Sequence, residues 1–134
     1  MQVKNEVFHL LRQLFQQHTA LWQQRLPDIT KPQYAVMRAI AEHPGIEQVT
    51  LIDVAVSTKA TLAEMLSRME KRGLVRRESC ASDKRRRFIW LTTEGQALLD
   101  GAIARAIAVD NEFLNRMTPE QQEQISPLIV QMMN

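Results

Sequence analysis

The residues with the densest chemistry lie in one short run, where Asp83 precedes Lys84, Arg85, Arg86 and Arg87. Four consecutive guanidinium and ammonium groups make a binding surface for phosphates, and a single acid beside them can orient one arginine through a bidentate pair. An arginine held in that way can enter a narrow minor groove of DNA, where the negative potential is deepest, and Arg85 is the expected candidate. The charge of the whole chain hides this run. Residues 68 to 87 carry nine cations against three acids, a surplus of six, while the remaining residues carry a deficit of four, so that the total is only +2. A solvated face is the plainer reading of such a run. Its position directly after a helix pattern points instead to a phosphate footprint.

The second group precedes it. Ser57, Thr58, Lys59 and Thr61 open a helix, with Glu64 one turn on and Arg68 after that. Hydroxyls can read donors or acceptors on base edges, a threonine methyl can pack on thymine, and a lysine reaches guanine or phosphate. Taken alone, a start rich in Ser and Thr is also what helix capping requires. The basic run that follows shifts the reading toward DNA.

Positioning these groups requires a helical frame. The 134 residues are 45% hydrophobic, with few glycines, prolines or aromatics, which predicts one mainly α domain over 1–134. Residues 2 to about 25 carry Phe8, Leu11, Phe15, His18 and Trp22 at spacings of three and four, a helical stripe ended by Pro27 and Asp28. Thr30, Pro32 and Gln33 form a capping box for a second helix, with Tyr34, Met37 and Ile40 to Ala41 on its buried side and His43-Pro44-Gly45 closing it. A short third helix is expected from about Gln48 to Ala55, with Val49, Ile52 and Ala55 at helical spacing, followed by a turn at Val56-Ser57. The fourth runs from about Thr58 to Arg72, with Leu62, Leu66 and Met69 inward and Gly73 as the stop. This pair has the length and pattern of a helix-turn-helix.

Leu74 to Cys80 alternates, 81–87 is a polar loop, and Phe88 to Leu91 is strand-like, which together predict a small β-hairpin with a basic tip. Thr92 or Thr93 then caps a long fifth helix containing Leu98, Leu99, Ala102, Ile103, Ala106 and Val109. Thr118-Pro119-Glu120-Gln121 starts a last one, which Pro127 is expected to interrupt with a kink. The first helix would be about 36 Å long at 1.5 Å per residue, longer than so small a core needs, and its stripe implies a partner chain, the alternative being that it folds back on its own core. Residues of about 1–26 and 93–134 are thus expected to dimerise, and about 30–92 to form the helix-turn-helix with its hairpin.

Other chemistry is disfavoured. There is no apolar run of membrane length and no signal-like start, so a cytosolic protein is expected. The single Cys80 excludes an intrachain disulfide, and His9, His18 and His43 lack metal-ligand spacing, so neither a metal nor a cofactor is expected. No phosphate loop, HExxH run or nucleophile elbow suggests an enzyme.

The sequence Asp83-Lys84-Arg85 followed by Ile89-Trp90-Leu91-Thr92-Thr93-Glu94-Gly95 resembles the wing of the MarR/SlyA family and the start of its fifth helix, and Leu66 to Val75 resembles the end of the family's recognition helix. The likeness extends over essentially the whole chain. It implies a homodimeric winged helix-turn-helix regulator, in practice a bacterial repressor, that binds a pseudo-palindromic double-stranded operator with Arg85 at the minor groove. Val56 stands where relatives often have Gly, and Glu64 where they can have Arg. The resemblance further implies a phenolic or benzoate-type effector of the hydroxybenzoate kind. Arg12, near Phe8 on the helix, could pair with its carboxylate, His18 with a second polar group, and Trp22 and Tyr34 could complete the pocket; for His18, a core histidine satisfied by the backbone is the competing reading. Oxidation-sensing relatives place their cysteine in the first helix, so Cys80 is expected to be inert, although Arg76, Arg77 and Lys84 could lower its pKa. Two alternatives stay open: a winged-helix interaction module without DNA binding, and a cysteine-based redox regulator.

Overall fold

A computed structural model describes residues 6–55 and 57–134, in two compact units. Unit 2 spans Leu26–Ile103 and unit 1 combines Met1–Arg25 with Ala104–Asn134. The helices are α1 (Val7–Arg25), α2 (Lys31–Glu42), α3 (Leu51–Val54), α4 (Lys59–Lys71), α5 (Thr93–Leu114) and α6 (Pro119–Met133). Three strands, β1 (Ile46–Glu47), β2 (Val75–Ser79) and β3 (Arg87–Leu91), form an antiparallel sheet in the order β1-β3-β2. This is a winged helix-turn-helix architecture. The segment before residue 6 lies outside the described residues, as does Val56.

In unit 2, α2 begins where local chemistry dictates. Thr30 accepts a hydrogen bond from Gln33 N and the Gln33 side chain returns one to Thr30 N, with Pro32 in the first turn. Val36, Met37 and Ile40 are fully buried, whereas Tyr34 and Ala41 are only partly covered. In α4, Leu62, Leu66 and Met69 face inward as their spacing predicts. Gly73 ends the helix at φ 75°, a left-handed conformation that costs a side chain about 1 to 2 kcal/mol.

Two expectations need correction. The expected third helix is a 3-10 turn over Gln48–Thr50 that runs into the short α3; Ala55 is buried as its spacing predicts, but Leu51 is the main buried residue and Val49 is 60% exposed. A 3-10 turn has about three residues per turn, so the inward face is displaced from the one a 3.6 period predicts. The second correction is β1, which the sequence did not announce. Ile46 and Glu47 pair with Ile89 and Phe88, and Gly45 N donates to Ile89 O at 2.9 Å. The hairpin itself is paired from Val75 with Leu91 to Ser79 with Arg87.

Thr92 is the cap of α5, accepting from Gly95 N at 3.0 Å and donating to Gly73 O at 2.5 Å. The start of α5 is thereby tied to the end of α4 through two side-chain bonds and the Thr92 N to Leu74 O bond.

In unit 1, Arg105 donates to the last carbonyl of α1, that of Arg25, and Arg25 pairs with Glu112. Trp22, Ala106 and Val109 are buried, but Phe8 is 74% and Phe15 61% exposed, as are Leu128 and Met133 of α6. The α1 stripe is thus uncovered at its N-terminal half within one chain. Helix α6 starts with the Thr118–Gln121 capping box and continues through Pro127 without a break, although Pro127 cannot donate to the carbonyl four residues before it.

Candidate nucleic-acid interface

Helix α4 starts from Thr58, whose hydroxyl accepts from Thr61 N at 3.1 Å and donates to the Thr61 hydroxyl at 2.9 Å. The Thr58 hydroxyl thus caps its own helix as acceptor and donor at once. Ser57 N donates to Ile52 O, closing the turn from α3. Thr58, Lys59, Thr61, Glu64 and Arg68 are all exposed, and Ser57 is partly covered. Glu64 and Arg68 form an exposed i, i+4 pair at 2.5 Å, so the acid already has a partner on its own helix.

The tip of the wing is a folded loop. Cys80 N donates to Arg86 O and Arg86 N to Asp83 O, at 2.9 and 3.1 Å. The Asp83 carboxylate receives Arg85 N at 3.0 Å and the Arg85 guanidinium at 3.2 and 3.5 Å. These bonds hold the Asp83 carboxyl below its usual pKa, the Arg85 side chain contributing most. The Arg85 side chain remains 92% exposed. Asp83 holds both the backbone amide and the guanidinium of Arg85, and the side chain stays open to solvent.

A cleft of about 670 Å³ lies between α4 and the wing. Lys59, Lys84, Arg85 and Arg87 line it together with Glu47 and the apolar Val49, Ile52 and Leu62. Lys59, Lys84 and Arg87 have no carboxylate partner among the described residues. Four cations against the single acid Glu47 leave the cleft with a surplus of positive charge, which favours a polyanion.

Other cations of the run have structural partners that the sequence analysis did not identify. Arg86 places its fork on Glu47, Nε to Oε2 at 3.2 Å and Nη2 to Oε1 at 3.0 Å. Arg77 is 13% exposed and bonds to Glu70 and Ser67. Arg76 pairs with Glu78 and lies over the Trp90 ring at 4.5 Å. Arg72 donates to Asp28 O. Cys80 is partly covered, and its thiol pKa is lowered by hydrogen bonds to the Ser82 side chain and to the Ser82 and Asp83 backbone, with a smaller contribution from Arg86. The expected influence of Arg76, Arg77 and Lys84 on this thiol is replaced by that set.

The candidate effector residues divide between the units. Arg12 is exposed and lines an apolar groove on α1 with Phe8, Leu11 and Phe15, to which neither His18 nor Trp22 contributes. His18 Nε2 pairs with Asp110 Oδ1 at 2.7 Å, and its ring lies 5.5 Å from that of Phe113 and 6.2 Å from that of Trp22. Tyr34 is on α2, in the other unit, beside Arg38. Among the described residues no cluster of His, Cys, Asp or Glu could hold a metal ion, and no helix is long and apolar enough to cross a membrane.

A helix-turn-helix joined to a basic hairpin defines a class, and comparison with known sequences agrees: the chain belongs to the MarR family of transcription regulators, whose sequence model matches residues 29–86. Regulators of this family bind DNA as dimers and are not enzymes. Over its full length the chain is similar to the transcriptional regulator HosA of Escherichia coli O127:H6, with 66% identity across 134 residues, which is 100% of this chain and 99% of that one. It is 31% identical to the homoprotocatechuate degradative operon repressor of Escherichia coli over 102 residues, 76% of this chain and 69% of the relative. The crystal structure of the PcaV regulator from Streptomyces coelicolor in complex with its natural ligand matches with a TM-score of 0.91 at 30% identity, covering 98% of this chain and 94% of that one.

Proposed function

We propose that the protein is a cytoplasmic repressor that binds a pseudo-palindromic operator as a homodimer and releases it when a small aromatic acid binds. The observation that carries the DNA reading is the cleft in which Lys59 of the recognition helix and Lys84, Arg85 and Arg87 of the wing converge. In this reading Ser57, Thr58, Lys59 and Thr61 address base edges in the major groove, and Arg68, paired with Glu64, approaches the same groove one turn further on. Arg85, oriented by Asp83, enters the minor groove, and Lys84 and Arg87 meet phosphates. Residues 30–92 serve as the DNA-binding part, and the helices of 1–26 and 93–134 as the dimerisation part. The exposed Phe8, Phe15, Leu128 and Met133 support that second assignment.

The effector reading rests on two relatives. One is by name a repressor of an operon that degrades an aromatic acid, and the other was crystallised with its natural ligand. On α1, Arg12 supplies the charge that the carboxylate of a hydroxybenzoate-type acid needs, and His18, beside Trp22, a polar group for its hydroxyl.

The test is selection of bound duplexes from a random pool, with and without a panel of hydroxybenzoates, followed by titration over a range of salt concentrations. Operator binding must weaken steeply with salt because phosphate contacts release counterions. Failure to enrich any duplex would favour a winged-helix module that binds protein instead.

A further inference from the structure

Arg86 belongs by sequence to the DNA-contacting run, but its side chain is turned away from that task. Both prongs of its fork end on the Glu47 carboxylate, and its guanidinium lies 5.4 Å from the centre of the Phe88 ring. Glu47 is the last residue of β1 and is paired in register with Phe88. The next residue opens the 3-10 turn that leads into α3. The Arg86 backbone, in turn, closes the wing tip by accepting from Cys80 N and donating to Asp83 O. One side chain therefore joins the folded tip that carries Arg85 to the segment that begins the helix-turn-helix. The pair has matched effects on both partners: the hydrogen bond from Arg86 holds the Glu47 carboxyl below its usual pKa, and the bond to Glu47 raises that of Arg86.

We infer that Glu47 is a positioning residue for DNA binding, which clamps Arg86 and so fixes the wing tip beside the recognition helix. The inference rests on the DNA-binding reading above for its consequence, but the clamp itself can be measured without DNA. It also separates two roles that charge alone would merge. If Arg86 were a phosphate contact, Glu47 would be its competitor, and removing the acid would release a cation toward DNA. If Arg86 is a strut, removing the acid loosens the tip and weakens binding, even though the interface becomes more positive. The two predictions have opposite signs.

The experiment uses full-length Glu47→Gln, which removes the charge at constant shape, and Arg86→Lys, which keeps the charge but loses the fork. Each is titrated against a labelled duplex selected by the wild-type protein from a random pool. The clamp predicts that both variants bind about two- to fivefold more weakly, as expected for an exposed ion pair, with an unchanged slope of affinity against salt. Hydrogen exchange of the Cys80 amide, whose acceptor is Arg86 O, should quicken in both variants without DNA. Tighter binding by Glu47→Gln with a salt slope steeper by about one would overturn the inference. So would wild-type affinity in Arg86→Lys, or an unchanged Cys80 amide. If the wild-type protein selects no duplex, the DNA reading fails, and the Cys80 amide alone decides whether the clamp exists.

Discussion

The carbonyl oxygen of Leu74 lies only 2.0 Å from the point where a β-carbon on Gly95 would stand. Thr92 sets this approach, since its amide donates to that same carbonyl and its hydroxyl accepts from Gly95 N. The Thr-x-x-Gly spacing is thus a steric requirement of the junction between the wing and α5. Gly95→Ala forces the backbone of one of the two segments to move, and a loss of about 3 kcal/mol in unfolding free energy is expected. Urea denaturation checks it, and a change near zero would show that the junction yields without cost.

Arg85→Ala should weaken operator binding by about 1 to 3 kcal/mol while the dimer stays intact. The side chain is oriented by Asp83 yet 92% exposed, so its removal empties the wing tip without disturbing a core. Fluorescence anisotropy at moderate salt measures this, and an unchanged affinity would remove Arg85 from the interface.

Much of the fold was legible because its signals are local. Capping boxes at Thr30–Gln33 and Thr118–Gln121 join residues three apart, the Asp83–Arg85 pair joins residues two apart, and Leu62, Leu66 and Met69 share a face by simple periodicity. What could not be read depends on distance. Glu47 and Arg86 are separated by 39 positions, and a two-residue strand such as β1 is too short to show alternation. Arg77, counted by sequence with the surface cations, is drawn against Glu70 and Ser67 because strand alternation turns it toward α4. Proximity in sequence to a basic run said nothing about which cations already had partners.

Phe15→Asp should convert the dimer to monomer. Phe15 is 61% exposed in the single chain, and a two-fold interface would use it twice. Burial of each ring is worth about 1.5 to 3 kcal/mol, so the dissociation constant should rise at least about a hundredfold. Sedimentation velocity reads the result, and an unaltered dimer would place the interface elsewhere.

The proposed effector switch must be reciprocal. If a hydroxybenzoate weakens operator binding by some factor, about 5- to 150-fold in typical cases, operator must weaken hydroxybenzoate binding by the same factor. Calorimetry on wild type, Arg12→Ala and His18→Ala, with and without operator, is the check. Ligand affinity indifferent to both substitutions would reject this pocket, and equal affinity for free and DNA-bound protein would reject the switch.

The wing tip should lose its order in acid. Asp83 and Glu47 both have carboxyl pKa values lowered from 3.8 and 4.5, so protons bind the unfolded loop more readily than the folded one. Their contribution to order is complete above the ordinary values, declines as pH drops below them, and is gone only beneath the lowered folded-state values. The Arg85 and Cys80 amide resonances followed from pH 7 downward should hold constant to about pH 5 and then shift. A transition near neutrality would contradict the assignment to these carboxylates.

The strand order β1-β3-β2 has a kinetic consequence. Val75 and Leu91 meet across a short stretch of chain, whereas Ile46 meets Ile89 only after the whole helix-turn-helix has been enclosed between them. Closing the longer loop costs about 1 kcal/mol more in chain entropy, so the hairpin can assemble first and β1 completes the sheet afterwards. The last backbone pairing to form, and the first to be lost, is then the one that carries Glu47 to Arg86. Refolding would pass through a hairpin that already has its basic tip but lacks the seam joining it to the rest of the reading head.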